Sequence, residues 1–123
     1  SRIGELSSFI SLATDINLNR PKVLVEQIQR KLQFPIKNLS ILLVGASYKA
    51  NVSDTRESPS IRLAEYLRVH NNVELFDPVA FPDIKLEDLQ KKQKFDLTVI
   101  SVKHSELNLV ELSKVSKHFI DIT

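Results

Sequence analysis

The chain has 123 residues, 42% hydrophobic and 26% charged, which predicts one domain able to bury well over half of its unfolded surface. Its 17 Lys and Arg against 15 Asp and Glu leave a formal charge of +2, too small and too spread out to favour nucleic acid as a partner. Cysteine is absent, which excludes disulfides, cysteine-based metal sites and a cysteine nucleophile, and fits a reducing compartment.

No uninterrupted apolar run approaches the roughly 20 residues of a membrane span, and no signal-peptide pattern opens the sequence. A cytoplasmic protein without a membrane partner is the expectation. In the first segment Ile3, Leu6, Phe9, Ile10, Ala13 and Ile16 recur at three- and four-residue steps, a spacing that predicts one face of an amphipathic helix. Pro21 suits a first helical turn, and Leu24, Val25, Ile28 and Leu32 continue the stripe to Phe34-Pro35, where it stops. Residues 1–35 are therefore expected to be helical, as two helices or one bent one. The abrupt start inside a helical pattern reads as a piece of a longer protein.

From Ser40 the period changes. Ile41–Val44 reads as a strand, 59–69 as a helix with Ile61, Leu63, Ala64 and Leu67 inward, and 73–76 as a second strand after the turn at Asn71-Asn72. A short helix at 86–90 leads to a strand at 97–102, and a helix at 107–115 leads to a strand at 119–122. Lys91 to Lys94 reads as a solvated loop or a fraying helix end. Alternating elements with continuously apolar strands predict a parallel sheet covered on both faces. The fold class is α/β, a Rossmann-like three-layer sandwich with a mainly parallel sheet over 36–123, preceded by the helical segment.

The most informative stretch is Gly45-Ala46-Ser47-Tyr48-Lys49, followed by Asp54-Thr55-Arg56-Glu57-Ser58-Pro59. It joins the end of a buried strand to the start of a helix, where open α/β sheets collect ligands and where free N–H groups attract anions. Part of it has a purely structural reading. Ser58 can cap the helix with Pro59 in its first turn, and Asp54 and Glu57 can neutralise Lys49 and Arg56, the commonest fate of mixed charges on a loop. Asp77-Pro78 reads as a turn start. His104 can face the ligand edge, whereas His70 and His118 share no spacing with carboxylates, so no metal site is expected. Gly4 and Gly45 are the only glycines, so a Gly-x-Gly-x-x-Gly dinucleotide fingerprint cannot be written.

Residues 45–59, Gly-Ala-Ser-Tyr-Lys-Ala-Asn-Val-Ser-Asp-Thr-Arg-Glu-Ser-Pro, closely resemble the start of the C-terminal domain of the nucleotide-sugar dehydrogenases that act on UDP-glucose or UDP-N-acetylmannosamine. The resemblance extends upstream through Leu12-Ala13-Thr14-Asp15-Ile16-Asn17 and Arg20-Pro21, which look like the end of the family's central helical domain. Downstream it extends through Phe76-Asp77-Pro78 and, more weakly, Phe95–Ile100 with His104-Ser105-Glu106-Leu107, where Lys103 replaces a commonly acidic residue.

The resemblance implies a parent with an N-terminal NAD domain, a central domain forming a homodimer, and this domain closing over a UDP-sugar. The parent would oxidise the sugar's C6 alcohol to the uronic acid in two NAD-linked steps, a path to polysaccharide precursors. It implies substrate-binding roles for Gly45 (close backbone approach), Tyr48 (a flat face for uracil) and Lys49 (a charge for diphosphate or sugar oxygen), and a cofactor-side role for Arg56. The family's catalytic cysteine, lysine and aspartate find no counterpart here, so the chain alone is expected to be inactive. The arginine that often follows the Ile-Asp of the last strand is also missing after Asp121. The alternative is a stand-alone, non-catalytic Rossmann-like interaction or regulatory module.

Overall fold

The computed structural model describes residues 9–11, 21–56 and 58–123. Among these residues five strands, β1 (Phe9–Ser11), β2 (Ser40–Val44), β3 (Asn72–Phe76), β4 (Phe95–Ile100) and β5 (Ser116–Asp121), form one sheet in the order β1-β5-β4-β2-β3. Every neighbouring pair is parallel. Among the described residues four helices connect them: α1 (Pro21–Leu32), α2 (Pro59–Leu67), α3 (Leu86–Lys92) and α4 (Leu109–Ser113).

The side-chain period of two in each strand splits the core into two layers. Ile41 and Leu43 of β2 join Leu24, Val25 and Ile28 of α1 and Leu63, Ala64 and Leu67 of α2 on one face. Leu42 and Val44 join Leu86 and Leu89 of α3 and Leu112 of α4 on the other. Both faces of β2 are therefore apolar and fully buried, as a central parallel strand requires.

The helical expectation for residues 1–35 is corrected at Phe9–Ser11, which pair with Phe119–Asp121 as an edge strand. Three residues of Phe-Ile-Ser satisfy a helical stripe and a strand equally, and the open edge of β5 decides between them. The rest of that amphipathic stripe lies outside the described residues. Helix α1 does form, and its buried stripe shares a core with β2 and α2, so residue 35 does not separate two cores among the described residues. In α2 the buried stripe is Ser60, Leu63, Ala64 and Leu67, at i, i+3, i+4 and i+7. Ile61, expected inward, is half-buried; Ser60 takes the inward place because its hydroxyl donates to Ser101 Oγ at 2.9 Å.

The order of the strands fixes where a ligand can sit. The chain runs from β2 outward to β3, then returns across β2 to β4 and on to β5. This reversal opens a crevice beyond the carboxyl ends of β2 and β4. The loop from Gly45 to Ser58 leaves β2 at that point.

Candidate functional site

At the root of the loop, Gly45 has φ +106°. A Cβ there would lie 2.5 Å from the Val102 backbone nitrogen and 2.6 Å from the Val102 Cβ. Both the left-handed backbone and the close approach demand glycine. The approach locks β2 to β4: Ser101 and Val102 both donate backbone N–H groups to Val44 O, at 2.9 and 3.3 Å, and the Ser101 hydroxyl donates to Gly45 O at 3.0 Å. Gly45 N donates to Phe76 O at 2.8 Å, tying in β3.

The next two residues converge on a buried carboxylate. Asp77 Oδ2 accepts the backbone N–H groups of Ala46 (2.8 Å) and Ser47 (3.0 Å) and the Ser47 hydroxyl (2.9 Å). Its Oδ1 accepts from Val79 and Ala80 at 2.9 and 2.8 Å, forming the turn after β3. The carboxyl is fully buried. Burial pushes its pKa up, but hydrogen bonds from Ala80, Ala46, His104 and Ser47 outweigh it and hold the group well below the usual carboxylate range. The turn reading of Asp77-Pro78 is thus correct but covers half the role, because the second oxygen organises the β2–α2 loop.

His104 completes the cluster. Its Nδ1 accepts the Asn51 backbone N–H at 2.7 Å. A backbone N–H can only donate, so Nδ1 carries no proton and Nε2 does. The Nε2–H points to Asp77 Oδ2 at 2.9 Å, with Ser47 Oγ at 3.3 Å. The expectation that His104 faces a ligand is corrected: the ring is 1% exposed and both nitrogens are used internally. Ser47, His104 and Asp77 also do not form a hydrolytic triad. The serine proton goes to the carboxylate, and a protonated Nε2 cannot accept it.

Beyond this root the loop turns outward. Tyr48 is 57% exposed, Lys49 and Ala50 are exposed, and Tyr48 N donates to Asp54 O at 2.6 Å, closing the loop on itself. That closure brings the Tyr48-Lys49 pair to the same end of the loop as Asp54 and Arg56. Arg56 donates from Nε and Nη2 to Asp54, with Nη2 at 2.9 Å from Oδ2. This contact draws the Asp54 pKa down to about 2 and raises that of Arg56. The pair uses Nε and Nη2 and leaves Nη1 without a partner among the described residues, on a side chain 89% exposed. Asp54 therefore neutralises Arg56 as the salt-bridge reading expected, whereas Lys49 has no ion-pair partner among the described residues. Glu57 lies outside them.

The loop ends in the cap of α2. Ser58 Oγ accepts from Ser60 N at 3.2 Å, with Pro59 in the first turn, as the sequence predicts, and its hydroxyl also donates to Ser47 O at 3.3 Å. Beside the crevice, Lys103 Nζ pairs with the buried Asp121 at 2.5 Å. In a groove at the opposite end of the strands, among Asn38, Arg68 and Asn71, two of the polar side chains are engaged: Asn71 bonds Leu39 N, Ile36 O and Leu67 O, and Arg68 bonds Val73 O. No group of three or more His, Cys, Asp or Glu that could hold a metal ion exists among the described residues.

A parallel sheet with helices on both faces and a polar loop at its reversal point defines a doubly wound α/β ligand-binding domain. Residues 42–122 match the UDP-glucose/GDP-mannose dehydrogenase family, UDP binding domain. The chain belongs to this family. It is 28% identical over 118 residues to the UDP-N-acetyl-D-mannosamine dehydrogenase of Campylobacter jejuni, covering 94% of this chain and 28% of that protein. It is 26% identical over 98 residues to the UDP-glucose 6-dehydrogenase of Rickettsia felis, covering 79% and 22%. Among solved structures it resembles the UDP-N-acetyl-mannosamine dehydrogenase of S. aureus, with a TM-score of 0.66 at 26% identity, over 87% of this chain and 27% of that one. The chain thus spans about a quarter of the length of the relatives it matches.

Proposed function

We propose that this domain binds the UDP part of a nucleotide sugar on the outer half of the β2–α2 loop, as the C-terminal domain of an NAD-dependent UDP-sugar 6-dehydrogenase. The observation that carries the reading is the division of the loop: Gly45, Ala46 and Ser47 are buried and fixed, while Tyr48 and Lys49 are presented beside the crevice. The Tyr48 ring offers a face for the uracil, and Lys49 a mobile point charge for the diphosphate. Gly45 contributes indirectly, since its missing Cβ makes room for Val102 rather than for ligand. The parent enzyme would oxidise the C6 alcohol of UDP-glucose or UDP-N-acetylmannosamine to the acid, in the cytoplasm and as a homodimer.

NAD would supply the hydride acceptor, but the residues here do not form its main site. The single glycine of the loop is committed to β2–β4 packing, and the N-terminus of α2 is closed by Ser58. Arg56 is this chain's one candidate contact to the cofactor, through its Nη1. NAD is therefore assigned to another part of the protein, and no chemical step is assigned to residues of this chain.

The test is an amide NMR titration of the 123-residue chain with UDP, with inorganic pyrophosphate as control. Shifts confined to 45–56 that UDP produces and pyrophosphate does not are the expected result. Equal responses to both would reduce the site to charge attraction, and no response at the loop would remove the assignment.

A further inference from the structure

We infer that His104 is a positioning residue for the nucleotide loop, acting through its Nδ1, and that its two ring nitrogens do separable work. The inference rests on the proposed UDP reading for its link to affinity, but its geometric part stands alone. His104 lies beyond β4, 53 residues from Asn51, yet it bonds the backbone of Asn51 at the crown of the loop. Asn51 has φ +63°, a left-handed conformation that asparagine tolerates better than most residues. Its side chain is held as well: Asn51 Oδ1 accepts Ser105 N at 2.9 Å and the Ser105 hydroxyl at 3.0 Å. Residues 104 and 105 thus grip Asn51 at its backbone and its side chain.

Tyr48 and Lys49 lie between this grip and the Asp77 anchor. One end of the five-residue span is fixed at Ser47 by Asp77 and the other at Asn51 by His104 and Ser105. Without the second anchor the pair would hang from Ser47 and the Tyr48–Asp54 closure alone, and ligand would have to order it on binding. The Nε2 side does something else: it supplies the buried Asp77 carboxylate with one of its donors, which concerns the stability of the whole domain.

Two variants separate the halves. A glutamine side-chain amide reaches the position of Nε2 and an asparagine carbonyl the position of Nδ1. His104→Gln keeps a donor for Asp77 and loses the acceptor for Asn51; His104→Asn does the reverse. We expect His104→Gln to unfold at a urea midpoint close to wild type, while exchange of the Asn51 amide accelerates at least tenfold and UDP binds about tenfold more weakly, the loss of roughly one hydrogen bond. His104→Asn should lower the urea midpoint while keeping UDP affinity within about threefold.

Parallel losses of stability and loop order in both variants would overturn the inference, as would wild-type Asn51 exchange in His104→Gln. If wild-type chain binds no UDP, the UDP reading fails, while the exchange comparison still decides the role of His104. Should neither variant fold, ¹⁵N shifts of the His104 imidazole in the unaltered protein decide instead. A proton on Nδ1 contradicts the grip, and an unprotonated Nδ1 coupled to the Asn51 N–H supports it.

Discussion

The two halves of the β2–α2 loop differ in everything but sequence proximity. The inner half, Gly45 to Ser47, is buried, and its N–H groups and the Ser47 hydroxyl are all matched to Phe76 and Asp77. The outer half, Tyr48 to Arg56, is mostly exposed and is tied down at only a few points. A binding loop needs both. The buried half supplies a rigid reference frame, because each of its contacts would leave an unmatched polar group if broken. The exposed half keeps a ring and a charge without hydrogen-bond or ion-pair partners among the described residues, and therefore available to a ligand. The comparison teaches that a mutation's effect on stability and its effect on binding should run in opposite order along these twelve residues.

The largest expected effect is at the centre of the frame. Asp77→Ala leaves the N–H groups of Ala46, Ser47, Val79 and Ala80 and the His104 Nε2–H without their acceptor. We expect a loss of about 3–5 kcal/mol in denaturant unfolding, the range for stripping one partner from a buried charged network. The carboxyl also leaves a signature in acid. Its pKa is lowered on folding, so the native state binds fewer protons than the unfolded chain below pH ~4, where a free aspartate of pKa about 3.9 titrates. Its contribution is complete above that value and is lost as the pH falls toward the folded pKa. Asp77→Ala should flatten the acid limb of the stability curve in that window; an unchanged slope would mean that the carboxylate is not the group responsible.

Next in size is Gly45→Ala. The added methyl group meets the Val102 backbone at 2.5 Å, at a φ of +106°, so strain and collision act together. About 2–4 kcal/mol of destabilisation is expected. A result within 0.5 kcal/mol of wild type would show that β2 and β4 separate easily at their carboxyl ends, and would remove the frame from the comparison.

Much of this arrangement could be read from residues alone, and the parts that could not share a cause. Strands at 41–44 and 97–102, the Ser58-Pro59 helix start and the parallel architecture follow from local period and capping chemistry, and the structure has strands at Ser40–Val44 and Phe95–Ile100 and the helix start where expected. Element ends moved by a few residues: the last strand begins at Ser116 rather than 119, and the third helix runs on to Lys92. Phe9–Ser11 was legible as a helix and is a strand, because its partner β5 lies more than a hundred residues away and pairing between distant segments overrides a local stripe. Asp77 and His104 were each visible as a polar residue after a strand. Their meeting is a property of the strand order, which brings the ends of β3 and β4 to either side of β2. The pairing of Arg56 with Asp54 was among the charge pairings the sequence offered, whereas the exposure of Tyr48 requires side-chain positions.

The smallest effects on folding, and the sharpest test of the comparison, lie at the outer half. Tyr48 and Lys49 are exposed and, among the described residues, make no side-chain hydrogen bond or ion pair, so Tyr48→Ala and Lys49→Ala should each leave the urea midpoint unchanged within about 0.5 kcal/mol. Their effects on ligand should differ in kind. Removing the Tyr48 ring takes away a stacking face, which weakens UDP by about tenfold and leaves pyrophosphate binding as it was. Removing the Lys49 charge weakens both ligands, and the difference from wild type should shrink as salt rises, because an exposed cation is screened over a Debye length of about 10 Å at 0.1 M. Titrating each variant with both ligands at two ionic strengths separates the two residues. If both variants lose UDP and pyrophosphate alike, the loop recognises charge alone. If neither loses UDP, the outer half is not the binding surface, and the rigid inner frame serves only to join β2 to α2.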